Sequence, residues 1–191
     1  MISIGITGII GSGKSMLSQI FRSMDIPVYD ADSNAKSLMN NDLQIKSRLI
    51  HEFGDDTYLN GEINKAYMRN VVFGSEKNRL TVNSIVHPAV KNDFVAWRNA
   101  TGKKIVAIES AIIFEANLED ILDKIIFVEA AEEIVVRRIC MRDKVSEEVA
   151  LGKIKLQRKN SGREKCDAIF VNDRNHSLIE QTENFINNIK Y

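Results

Sequence analysis

Near its start the chain carries Gly8, four residues, then Gly13, Lys14 and Ser15, inside the run GITGIIGSGKS at positions 5–15. That residue set suits the holding of a nucleotide phosphate. Glycines let main-chain N–H groups approach phosphate oxygens, and a following helix adds the positive end of its dipole. Lys14 would reach the β- and γ-phosphates, and the Ser15 hydroxyl would ligate Mg²⁺. The surrounding letters fit: ISIGIT reads as a buried strand and MLSQIFRSM as a helix, the setting this loop requires.

A second cluster lies in VYDADSNAK, positions 28–36. Asp30 and Asp32 are expected at the carboxyl end of a second strand, the edge at which open α/β sheets bind ligands. A carboxylate there could take the proton of an attacking hydroxyl or hold Mg²⁺ through water. The bland reading is a helix cap by Asp32 or Ser33 before NAKSLMN; capping accounts for one aspartate, not both. Glu109 closes the run IVAIES, either near the Mg²⁺ shell or simply at a strand end. Arg137, Arg138 and Arg142 fall in one helix, the last two on one face, where they suit either a triphosphate or ion pairs with Glu132, Glu133 or Glu148. The pair His87-Pro88 reads as a turn leading into a helix, and Phe94 with Trp97 reads as core.

These residues need elements to hold them. Five short Ile- and Val-rich runs read as buried parallel strands: 2–7, 27–31, 104–110, 124–130 and 167–172. Helical patterns between them imply a doubly wound α/β sheet with helices on both faces, a three-layer sandwich. Between Asp32 and Lys103 the chain has helical periodicity and no convincing strand, more than one crossover needs, so it reads as a helical insertion that binds an acceptor or forms a lid. A second helical insertion, 137–165, holds ten Lys or Arg against four acids, whereas 109–133 holds eight acids and one Lys. With zero net charge over 191 residues, a local basic segment suits an anionic small molecule better than nucleic acid. Two cysteines without metal-ligand spacing, no leader-like start and no long apolar run point to a cytoplasmic chain, apart from membranes. A monomer or weak homo-oligomer is a separate expectation, not drawn from these features.

No Asp is followed by Gly three positions on, and the Asn64-Lys65 pair continues as Ala-Tyr, which excludes a GTPase switch. What remains is a small-molecule kinase. Along nearly its whole length the chain resembles the dephospho-CoA kinases, a family of P-loop small-molecule kinases. The resemblance runs through ITGIIGSGKS, VYDAD, YMRNVVF, IVHPAV, ESAIIFE, RRICMRD and CDAIFVN. It implies transfer of the ATP γ-phosphate to the ribose 3′-hydroxyl of dephospho-CoA, with ATP and Mg²⁺. By position it makes Asp32 the general base, surrounds the ATP phosphates with Gly11, Ser12, Gly13, Lys14, Ser15 and Met16 after Gly8, and brings Arg138 and Arg142 from the lid. The Mg²⁺ oxygens would be those of Ser15 and Asp30. The implied domains are a nucleotide core (1–32, 103–136 and 166–191), a CoA-binding subdomain (33–102) and a lid (137–165). The alternatives are a nucleoside-monophosphate or other small-metabolite kinase on the same architecture, and a nucleotide-binding regulator without chemistry. The chain departs from the usual family pattern at Ile9, where a second glycine is common, and at Ala111, where proline is common. Because Ile9 is β-branched, its φ is expected to be negative. The lid glutamine, Gln157, stands one residue closer to CDAIFVN than usual, and Arg174 replaces a common glycine.

Overall fold

In chain order the elements are β1 (Ile2–Thr7), α1 (Lys14–Ser23), β2 (Val28–Asp30), α2 (Ala31–Asn41), α3 (Leu43–Phe53), β3 (Tyr58–Leu59), β4 (Glu62–Ile63), α4 (Lys65–Phe73), α5 (Glu76–Thr101), β5 (Ile105–Glu109), β6 (Lys124–Glu129), α6 (Glu132–Asp143), α7 (Glu147–Arg158), β7 (Ala168–Val171) and α8 (Leu178–Asn188). The computed structural model describes residues 1–158 and 161–189, Phe73 by its backbone alone. Lys159 and Asn160 of the expected lid, and Lys190 and Tyr191 of the expected core, lie outside the described residues. The chain forms two compact units, Met1–Tyr29 with Ala100–Tyr191, and Asp30–Asn99.

The main sheet has five parallel strands in the order β2-β5-β1-β6-β7. The order reverses about β1, so the loop leaving β1 emerges at the switch point of the carboxyl edge, where such sheets bind ligands. Side-chain alternation explains why the strands read as continuous apolar runs. Ile4, Ile6, Ala107, Ile126 and Val128 join one buried cluster with Leu17 and Phe21 of α1 and Leu178 of α8. Leu17 and Phe21 are fully buried, each stabilising the fold by about 1.5–3 kcal/mol of transfer free energy. The alternate residues serve the other face. Phe127 packs with Val135 and Ile139 of α6 and with Ala150 and Ile154 of α7. Gly5 lies beneath Ile113 and Leu122, where a Cβ would meet side-chain carbons at 2.7 and 2.8 Å. Helices thus cover both faces, as the runs of apolar residues require.

The second unit is built on helices α2 to α5. Ile45, Leu49 and Ile85 are its buried centre, with Leu38, Met39, Phe53, Tyr58, Ile63, Val82 and Ala89 packed around them. Asp42 ends α2 and caps α3, its carboxylate accepting from the amides of Gln44 and Ile45 at 2.8 and 3.0 Å. Two expectations are corrected here. The segment is not purely helical: β3 and β4 form an antiparallel hairpin with Tyr58 opposite Ile63. Its turn is Asn60-Gly61, with φ of 53° and 84°, the left-handed pair favoured in two-residue hairpin turns. Nor do His87 and Pro88 lead into a helix; both lie within α5. The amide of Asn78 bonds the Ser75 hydroxyl at 3.3 Å at the start of that helix. Pro88 lacks the amide hydrogen that Ser84 would otherwise accept in the helical ladder. Phe94 is fully buried and stacks on Trp97 with ring centroids 5.9 Å apart, which is the core role read from sequence.

Candidate active site

The residues between β1 and α1 form a loop whose glycines sit at φ of 146° (Gly8), 78° (Gly11) and 106° (Gly13). These are conformations that side chains with a Cβ rarely adopt. Crowding adds to the demand at Gly8, where a Cβ would lie 2.3 Å from the Val128 carbonyl oxygen. Ile9 is not among the residues with positive φ, as its branching predicts. Its side chain is 6% exposed and joins Phe127, Val135, Ile139, Ala150 and Ile154 in the cluster under α6 and α7.

Carbonyl oxygens of the loop are drawn outward by side chains distant in sequence. Arg138 donates through one Nη to Gly11 O and Ser12 O, both at 3.2 Å. Asn172, at the end of β7, donates through Nδ2 to Ser12 O at 2.8 Å, while its own amide bonds Glu129 O at 2.8 Å. In a trans peptide the C=O and N–H point to opposite sides. Pulling the Ser12 carbonyl outward therefore turns the Gly13 N–H the other way. Gly13 stands at the N-cap of α1 with no side-chain cap, so the first-turn amides have no covering side chain. Such a concave row of amides at a helix start is an anion site. Lys14 Nζ donates to Gly8 O at 2.9 Å and Ile9 O at 3.3 Å, holding the ammonium at the loop itself. Ser15 is exposed in the first turn, and Met16 is 52% exposed. The Ser12 hydroxyl is fully buried and makes no hydrogen bond.

Glu109 ends β5 and accepts the Ser18 hydroxyl of α1 at 2.5 Å, tying the loop's helix to the neighbouring strand. Glu129 ends β6 and takes both arms of Arg163, at 2.7 and 3.2 Å. Arg142 lies four residues after Arg138 in α6, as expected, and pairs with its neighbour Asp143 at 2.7 Å, largely exposed. None of the glutamates weighed as its partner is used in that pair; Glu132 instead bonds Arg158. Hydrogen bonds from Arg142 and Lys153 hold the Asp143 carboxyl well below the usual carboxylate range.

In the second unit Asp30 is the cap of α2, its Oδ1 accepting the Ser33 amide at 2.9 Å. Asp32 stands in the first helical turn, so it neither ends the strand nor caps the helix. Asn172 was not singled out by sequence reading. Its only signal was a polar side chain closing the apolar run DAIFVN.

A parallel sheet whose central strand opens into a glycine loop, a lysine and a helix places the chain in the P-loop kinase class. The family described as dephospho-CoA kinase matches residues 2–178, and the chain belongs to that family. A dephospho-CoA kinase of Porphyromonas gingivalis is 36% identical, over 100% of this chain and 95% of its own length. A solved Thermus thermophilus structure, 25% identical, superposes with a TM-score of 0.81 and covers 100% of this chain and 98% of that one. A Campylobacter jejuni dephospho-CoA kinase, 22% identical, shares the fold with a TM-score of 0.69, over 97% of this chain and 95% of its own.

Proposed function

We propose that this kinase transfers the γ-phosphate of ATP to the ribose 3′-hydroxyl of dephospho-CoA, giving CoA and ADP. Membership of the family carries the acceptor, and the phosphate loop, with its outward-held carbonyls, supports the donor. In this reading residues Gly11 to Met16 surround the ATP phosphates, with Gly8 opening the turn. Lys14 stabilises charge on the transferring group as a positioned cation. Arg138 holds the loop and faces the nucleotide, and Arg142 joins the phosphates by giving up Asp143. Asp32 takes the 3′-hydroxyl proton as that oxygen attacks in line. Its carboxylate suits that role because the capping bond of α2 belongs to Asp30.

Mg²⁺ fits the donor set: it keeps several waters and is commonly held by one or two protein oxygens with substrate phosphates, which Ser15 and the free oxygen of Asp30 would supply. When bound it would neutralise phosphate charge. Residues 33–102 form the acceptor subdomain in this proposal, and 137–165 form the lid. The medium is the cytoplasm, and no described helix is long and apolar enough to cross a membrane.

The test is ADP release from Mg·ATP with dephospho-CoA, AMP and pantetheine offered side by side. Release with dephospho-CoA alone, and CoA as product, is expected. Release with AMP would move the assignment to a nucleoside-monophosphate kinase, and ATP binding without release to any acceptor would point to a regulator.

A further inference from the structure

The peptide plane between Ile9 and Ile10 is gripped on both sides. Its carbonyl oxygen accepts Lys14 Nζ at 3.3 Å and the Ser12 amide at 3.2 Å. Its N–H donates to Gln157 Oε1 at 2.6 Å, from the far end of α7 and 147 residues away in sequence. The plane is rigid, and its N–H and C=O point oppositely, so holding one direction fixes the other. Rotation about it would also drag at the Ile9 side chain, which is buried among Val135, Ile139, Ala150 and Ile154. Close-packed surroundings resist such a movement.

We infer that Gln157 is a positioning residue for Lys14. Through the Ile9-Ile10 peptide it sets one of the two carbonyls that accept the ammonium, the other being Gly8 O at 2.9 Å, and so helps fix the place from which Lys14 meets the phosphates. The inference rests on the reading of Lys14 as a phosphate ligand, not on the identity of the acceptor. It also makes α7 part of the nucleotide site, not a cover that is separate from it. Arg138 and Asn172 hold the Gly11 and Ser12 carbonyls, but neither bonds the Gly8 or Ile9 carbonyl that accepts Lys14.

A double-mutant cycle on the full chain tests this, with Mg·AMP-PNP and AMP as probes in calorimetry. Losing one relayed hydrogen bond in Gln157→Met should weaken AMP-PNP about 5–10-fold. AMP carries neither phosphate that Lys14 reaches, so its affinity should stay within about twofold. In a Lys14→Met background, Gln157→Met should add less than about twofold, because the group it positions is gone. Turnover should show the same split: a lower kcat and a raised KM for ATP, with the KM for the acceptor unchanged. Additive losses in the cycle, equal losses for AMP and AMP-PNP, or no loss from Gln157→Met alone would each overturn the relay. A Lys14→Met variant that binds AMP-PNP like the wild type would remove the relay together with the phosphate role of Lys14. Wild type that turns over no dephospho-CoA, with the cycle intact, would sink only the acceptor assignment.

Discussion

At Gly13 two requirements coincide. Its φ is 106°, and a Cβ there would lie 1.8 Å from Asn172 Nδ2, the group that holds the Ser12 carbonyl. Gly13→Ala should therefore cost nucleotide affinity by about tenfold or more, since strain and the lost grip on the loop act together. Equilibrium titration with Mg·AMP-PNP measures it, and wild-type affinity would show that this loop conformation is not what binds. The two aspartates of VYDAD separate on structural grounds, because Asp30 is committed to Ser33 while Asp32 carries no capping bond. Asp32→Asn should cut kcat by about 10²–10⁴ with ATP affinity nearly unchanged. Near-normal turnover in that variant would leave the base assignment untenable. Cys166 differs in kind. Burial pushes its thiol up to about 11, with Asp167 and Glu164 adding to the shift. The thiolate reacts and the thiol does not. Iodoacetamide should thus modify Cys166 slowly near pH 8 and about tenfold faster per unit as pH rises towards its pKa. Peptide mass spectrometry follows the rate, and fast labelling near pH 8 would contradict the burial argument.

Elements were legible where one side chain pattern sufficed. Each of the five apolar runs became a strand, ending one residue short of the reading at most termini, where the outermost residue already belongs to a loop or to the next helix. Val28–Asp30 is the clearest case: the strand stops where Asp30 becomes the cap of α2. The hairpin at Tyr58–Ile63 was not read from sequence, although Asn60-Gly61 is a strong turn signal. Two-residue strands leave too little alternation to recognise, and the helical periodicity around them dominates. Pro88 misled in the opposite direction. Proline is penalised inside helices, but packing of Ile85, Val86 and Val90 keeps α5 continuous through it. Asp42 caps α3 with its carboxylate while its backbone N–H donates to Leu38 O at the end of α2, so Asp42→Ala, which removes the carboxylate, should destabilise the chain by about 0.5–2 kcal/mol. Urea unfolding measures the shift in midpoint, and an unchanged midpoint would mean that packing, not the cap, fixes the junction.

For the molecule as a whole, a ligand that binds only the folded state raises stability by mass action. At about 100 times its Kd, Mg·AMP-PNP should add about 2.7 kcal/mol, or roughly 5–10 °C in Tm for a chain of this size. A thermal scan with and without nucleotide checks it; no shift at that occupancy would mean that the unfolded chain binds equally well or that the loop does not bind. The sequence alone determined the α/β class, the phosphate loop and the kinase family, because these depend on short-range facts: glycine and lysine spacing, strand-length apolar runs, and the order of motifs along the chain. Tertiary structure decided which distant side chains hold that loop. Arg138, Gln157 and Asn172 reach it across 126, 147 and 160 residues of chain. Arg142 chose Asp143 over the glutamates that spacing offered. No local pattern encodes how Arg138, Gln157 and Asn172 reach the loop, since each depends on which peptide plane a folded sheet and its helices bring within hydrogen-bond reach.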